Sequence, residues 1–124
     1  IMTVLSSCGH GDKVLIADGN YPLVSMTEGA EKVYLGVIAG LPGVIDVLEA
    51  LKKEVVFEKA EVMIPEDDCE PEIFAQFREY LGLKLEAIGR YEFYDACCEK
   101  AVRLAISTGE RRTYANILLT IGCP

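Results

Sequence analysis

The sequence has no tryptophan, one histidine and no apolar run of eighteen residues. The last absence excludes a helical membrane span. No basic segment followed by an apolar stretch opens the chain, so no secretory signal is expected. Basic residues are scarce. Twelve Lys and Arg face twenty Asp and Glu, for a formal net charge of −8. Such a surface repels phosphate backbones, and nucleic acid is not an expected partner. Lys52–Lys53 and Arg111–Arg112 are the only adjacent basic pairs, and they read as solvated surface. Cysteine pairing is also missing. Cys8, Cys69, Cys97, Cys98 and Cys123 are odd in number and contain no CxxC. That pattern suits free thiols in a reducing compartment. Cys8 and His10 could in principle share a metal, but their spacing fits no common zinc pattern.

The length of 124 residues argues for one domain over 1–124. A chain of this size buries roughly two thirds of its unfolded surface and needs no disulfide or metal staple. Apolar residues make up 51% of it. That slight surplus suits burial against other copies of the chain. The chain opens at Ile1–Met2 in what reads as the end of a helix, so a natural N-terminus upstream is expected.

Apolar runs over 13–18, 32–39 and 55–64 predict strands. Between them, Val44, Val47, Leu48 and Leu51 recur at helical spacing, with Pro42 in the expected first turn. Ile73, Phe74, Phe77 and Leu81 mark a second helix, started at Pro71 and stopped at Gly82. Residues 89–102 predict a third. LAIST and TYANILLTIG predict two further strands around the turn GERR. The succession implies an α/β fold: a single three-layer α/β/α domain with a mixed or mostly parallel sheet.

Three stretches carry candidate chemistry. In GHGDKVLIADGNYP, His10 sits between Gly9 and Gly11, which permit tight-turn geometry and close approach of a ligand. Histidine titrates near working pH and is the natural proton-transfer group. Asp18, Asn20 and Tyr21 fall at a strand's carboxyl end, where α/β sheets collect ligands. A histidine near a turn reads equally well as plain surface, and Asp18–Gly19–Asn20 as a simple turn. In TYANILLTIG, Tyr114 and Asn116 would share one face of a strand and offer groups suited to sugar hydroxyls. They could also merely satisfy local backbone. In GRYEFY, Arg90, Glu92 and Tyr94 place polar groups among aromatics, as a packed helix start also does.

Together the blocks HGDxxxxADGNYP, RYEFY and TGExxxYANIxLxxG resemble the D-ribose pyranase / L-fucose mutarotase family, over nearly the whole chain. The resemblance implies a small cytoplasmic α/β protein in a ring, often a decamer, with active sites shared between neighbours. It implies interconversion of aldose forms, α and β anomers or pyranose and furanose, without metal or organic cofactor. It assigns the acid/base role to His10 and sugar contacts to Asp18, Tyr114, Ala115 (through its backbone) and Asn116. The block RYEFY resembles the fucose type, which selects Arg90 as the helix-borne sugar contact, with Glu92 as the other candidate. The expected substrate is therefore an aldose such as L-fucose, with D-ribose pyranase activity or sugar binding without turnover as alternatives.

The chemistry is consistent with so small a set. Opening a cyclic hemiacetal removes the anomeric proton and protonates the ring oxygen. A positioned acid/base contributes about a hundredfold to ten-thousandfold. In this expectation His10 moves the proton, Asp18, Tyr114 and Asn116 hold hydroxyls, and Asp12 orients the imidazole.

Overall fold

The computed structural model describes residues 1–67 and 69–123. Its elements in chain order are α1 (Met2–Ser6), β1 (Lys13–Ala17), β2 (Glu31–Tyr34), α2 (Val44–Lys52), β3 (Phe57–Met63), α3 (Glu72–Leu81), β4 (Leu85–Ile88), α4 (Arg90–Cys97), β5 (Val102–Ser107) and β6 (Ile117–Ile121). The strands form one sheet in the order β2-β5-β1-β6-β3-β4. β1 runs parallel to β5, β5 to β2, and β3 to β4. β6 alone is inserted antiparallel, between β1 and β3. The sheet is thus mixed and mostly parallel, as the sequence predicts.

Both faces are covered, which explains why β1 and β6 read as continuous apolar runs rather than alternating ones. Val14, Ile16, Leu104, Ile106, Ile117 and Leu119 pack one face against α1, α2 and α3. Leu15, Ala17, Ala105 and Leu118 pack the other against Phe93 and Cys97 of α4 and against Tyr21 and Leu23. α2 buries Val44, Val47, Leu48 and Leu51, the spacing that predicted it. α3 starts after Pro71 and ends at Gly82, whose φ of +65° and N–H to Arg78 O (2.9 Å) make a left-handed cap.

The structure corrects three boundaries and adds one strand. β2 ends at Tyr34, not at residue 39, because the chain folds back with Val37 N–H donating to Leu41 O (2.9 Å). Pro42 precedes the helix instead of opening it, since Gly43 is the N-cap of α2. Backbone bonds to Gly109 hold that loop: Gly40 N–H donates to Gly109 O, and Gly109 N–H to Pro42 O. A Cβ on Gly109 would lie 2.6 Å from Leu41 O, so only glycine admits this approach. α4 ends at Cys97, short of 102, because Lys13 N–H takes Ala101 O (2.8 Å) and draws the chain into β5. β4 was not predicted. It is a four-residue edge strand, too short to show a period.

Candidate functional site

Reversing β6 brings its start to the carboxyl end of β1, and the polar groups there converge. Asp18 follows β1 directly and is 3% exposed. Its N–H donates to Asn116 Oδ1 (2.8 Å), and Asn116 Nδ2 donates back to Asp18 Oδ2 (3.4 Å). Asp18 Oδ1 accepts the N–H of Asn20 (3.0 Å). The backbone N–H groups of Tyr21 and Ala115 also face this carboxylate. Burial raises the Asp18 pKa above the ordinary aspartate value, and these donors offset the rise only in part.

Tyr114 lies outside the strand. Residues 113–114 form a turn ahead of β6, and Tyr114 has a φ of +58°, a left-handed backbone uncommon for a side chain of that size. The sequence expected Tyr114 and Asn116 to share a strand face. They do reach one cleft, but the turn brings them there. Arg90 opens α4 immediately after β4. Its guanidinium donates to Tyr114 Oη (3.2 Å) and lies 3.8 Å from Glu66. Asp18, Asn20, Tyr21, Arg90, Tyr114 and Asn116 line an open cleft of about 250 Å³. Tyr21 serves as wall. Its ring meets Tyr94 edge-on (5.6 Å) and its hydroxyl turns away to Met26 O (3.1 Å). Ala115 is buried behind the cleft, and only its backbone faces Asp18.

Behind the turn, buried Glu110 fixes the frame. It accepts Arg112 Nε (3.0 Å) and the N–H of Val44 at the start of α2 (3.2 Å). Gly19 N–H donates to its carbonyl (3.0 Å). Burial alone would raise the Glu110 pKa, but Arg112 and the backbone donors hold it below the ordinary value.

His10 is not in this cleft. It precedes β1, whereas Asp18 follows it, and the five strand residues between them span about 16 Å. Its Nε2 lies 2.9 Å from Glu58 Oε1. Glu58 was not legible in the sequence, because it stands 48 residues away on β3 with no motif around it. Asp12 does not meet the imidazole. It accepts the N–H of Gly9 (2.9 Å) and pairs with Arg103 (3.4 Å). Glu92 lines a different cleft with Lys13, Lys59 and Glu61, whereas Arg90 and Tyr94 of α4 both line the Asp18 cleft.

The cleft pairs a buried carboxylate with an amide, a phenol and a guanidinium. It offers acceptors and donors at once, as a small polyhydroxylated molecule requires. Among the described residues, no three His, Cys, Asp or Glu side chains converge as a metal site. No helix of the described residues is long and apolar enough to cross a membrane.

Known proteins share this arrangement of chain. The sequence model of the RbsD / FucU transport protein family matches residues 1–124. A D-ribose pyranase of Clostridium perfringens is 31% identical over 98% of this chain and 90% of that protein. The structure of Bacillus subtilis RbsD complexed with D-ribose superposes with a TM-score of 0.84 at 30% identity, covering 99% of this chain and 91% of that one. The fucose mutarotase of Streptococcus pneumoniae, solved with L-fucose, gives 0.81 at 25% identity, covering 99% and 91%.

Proposed function

The chain belongs to the RbsD / FucU transport protein family, and from that premise we propose that it is an isomerase interconverting the ring forms of a monosaccharide. The observation that carries this reading is the cleft at the carboxyl end of β1. There Asp18, Asn116, Tyr114 and Arg90 present hydrogen-bonding groups around a space suited to one small sugar.

In this reading Asp18 accepts sugar hydroxyls, held by Asn116 and the N–H groups around it. Tyr114 and Arg90 bind the opposite edge. His10 takes the anomeric proton as the C1–O5 bond breaks, and returns a proton to the ring oxygen. The aldehyde rotates and re-closes. The strand between His10 and Asp18 supports one further element. The His10 of one copy serves the cleft of another, and the site is completed between copies. Exposed apolar side chains, Val37 at 82% and Ile38 at 62% among them, fit such self-association into a ring such as a decamer. The reading places this sugar mutarotase-like domain, residues 1–124, in the cytoplasm and gives it no cofactor.

D-ribose is the first candidate substrate, because the curated relatives are D-ribose pyranases. L-fucose is the second, favoured by the Arg90–Tyr114 contact in the cleft, since the arginine matches the fucose-type pattern. Saturation-transfer NMR of each sugar, with and without protein, tests the reading. Faster pyranose–furanose exchange of ribose supports a pyranase, and faster anomer exchange of fucose alone supports a fucose mutarotase. No acceleration of either overturns turnover of these two sugars.

A further inference from the structure

We propose that Glu58 is the positioning residue of His10. It fixes the imidazole proton on Nε2 and leaves Nδ1 as the atom that exchanges a proton with the sugar. This rests on the reading of His10 as the general acid/base.

The contact is direct, with His10 Nε2 2.9 Å from Glu58 Oε1. An ionised carboxylate can only accept a hydrogen bond, so the bond requires a hydrogen on Nε2. A neutral imidazole protonated at Nε2 carries its lone pair on Nδ1. Among the described residues, His10 makes no other side-chain hydrogen bond, so Nδ1 is open to a ligand.

Burial does not force this pairing. The side chains of His10 and Glu58 are 56% and 46% exposed. The backbone around them is tightly stitched instead. Gly11 N–H donates to Ile121 O (2.9 Å), Ile121 N–H to Asp12 O (2.8 Å), and Gly122 N–H to Val56 O (2.8 Å). These bonds join the His10 turn, the start of β3 and the end of β6. Asp12 closes the His10 turn through Gly9 N–H (2.9 Å). Gly11 holds a φ of +93° that a side chain would strain. Gly122 leaves space for Glu58 itself. A Cβ there would lie 3.0 Å from Glu58 Cβ and 3.4 Å from its Oε2. The fold thus places a carboxylate stem against a position without a side chain, with its head on the only histidine.

The proton balance is complete without Glu58 titrating. Nδ1 takes the proton of the anomeric hydroxyl while the O1 electron pair forms the carbonyl and C1–O5 breaks. The imidazolium then lies against the Glu58 carboxylate in a charge-assisted pair. The ring oxygen takes the proton from Nδ1. Among the described residues no hydrogen bond or ion pair joins Glu58 to Asp18, Asn116, Tyr114 or Arg90 of its own copy, so its loss is expected in the chemical step, through His10, rather than in sugar affinity.

Because the chain has one histidine, ¹⁵N-histidine NMR reports a single ring. At a pH where the ring is neutral, the expected wild-type spectrum shows its proton on Nε2. Glu58→Ala should give mixed tautomers, with kcat falling about tenfold to a hundredfold and KM unchanged. Glu58→Gln, whose amide oxygen still accepts from Nε2–H, should keep the tautomer and recover part of kcat. Gly122→Ala, whose Cβ would press on Glu58 at 3.0 Å, should weaken the contact and lower kcat by less than Glu58→Ala does. Melting temperature, recorded for each, separates these effects from unfolding. A wild-type ring protonated at Nδ1, or a folded Glu58→Ala protein with unchanged tautomer and kcat, overturns the proposal. If His10→Ala leaves exchange intact, the acid/base reading falls and the catalytic role of Glu58 with it. The tautomer spectrum reports the contact independently of that result.

Discussion

The N–H of Asp18 donates to the side-chain oxygen of Asn116 at 2.8 Å, joining the end of β1 to the start of β6 across 98 residues. The pair is buried, and Asn116 also donates to the Asp18 carboxylate. One amide thus holds both the backbone and the side chain of Asp18, the residue proposed to accept sugar hydroxyls. Removing it leaves a buried N–H without a partner, which costs about 1–3 kcal/mol. Asn116→Ala should therefore lower stability by that amount in chemical denaturation and raise KM for the sugar. Unchanged stability together with unchanged KM would contradict this role.

The raised pKa of Asp18 has a definite sign. Burial disfavours its charged form, so the carboxylate takes up a proton at higher pH than the ordinary value of 3.8. Protonated Asp18 favours the folded state. That stabilisation is complete below 3.8 and lost as pH rises through the raised value. Sugar binding to the carboxylate runs the other way. Affinity should fall on acidification with a midpoint above 3.8, as followed by NMR titration of the sugar. A midpoint at or below the ordinary value would contradict the burial argument.

Tyr114 and Arg90 meet through the phenol oxygen at 3.2 Å. Tyr114→Phe keeps the ring in its left-handed turn and deletes that oxygen. In the proposed reading the phenol also bonds a sugar hydroxyl, and losing that bond costs about 1 kcal/mol, so KM should rise roughly fivefold. Stability should barely change, since the backbone conformation is retained. A large stability loss would mean that the hydroxyl holds the turn rather than the ligand.

Glu110 has the opposite pH sign to Asp18. Its folded-state pKa lies below the ordinary value of 4.5. Its stabilising contribution is therefore present above 4.5 and is lost as pH falls through the lowered value. Glu110→Ala removes the acceptor of Arg112 and of the α2 N-terminus. It should destabilise the protein by about 2 kcal/mol at neutral pH, with the difference from wild type shrinking in acid. Thermal melts across pH check this.

Cys97, the last residue of α4, is buried, and burial pushes its thiol up to about 12. It should resist alkylation at pH 8, where the thiolate is the reactive form. Exposed Cys69 and Cys123 should label first by mass spectrometry. Equal labelling of Cys97 would show that α4 opens readily.

Much of this was legible in the sequence, for identifiable reasons. α2 and α3 announced themselves because Val44, Val47, Leu48 and Leu51, or Ile73, Phe74 and Phe77, repeat the helical period and are buried by it. β1 and β6 were visible as apolar runs because both sheet faces are covered. The Asp18 cleft was visible because ligand groups gather where β1 ends. β4 escaped because a four-residue edge strand carries no period, and the Tyr114 turn because its left-handed backbone breaks an apolar run that reads as strand. The partnership of His10 with Glu58 lay beyond local reading. It depends on β3 and β6 meeting the His10 turn in space. The separation of His10 from Asp18 was implicit in the strand between them, yet the two fall in one motif and read naturally as one site.

That separation gives the most direct measurement. His10→Ala and Asp18→Asn chains, each purified alone, should show little acceleration of ribose ring exchange in saturation-transfer NMR. Co-expressed in one assembly, they should recover a clear fraction of wild-type exchange, because an intact His10 on one copy can meet an intact Asp18 cleft on another. If the wild type is active and the folded, mixed assembly remains as inactive as its parents, His10 and Asp18 do not act across copies, and the account of a site completed between them is wrong.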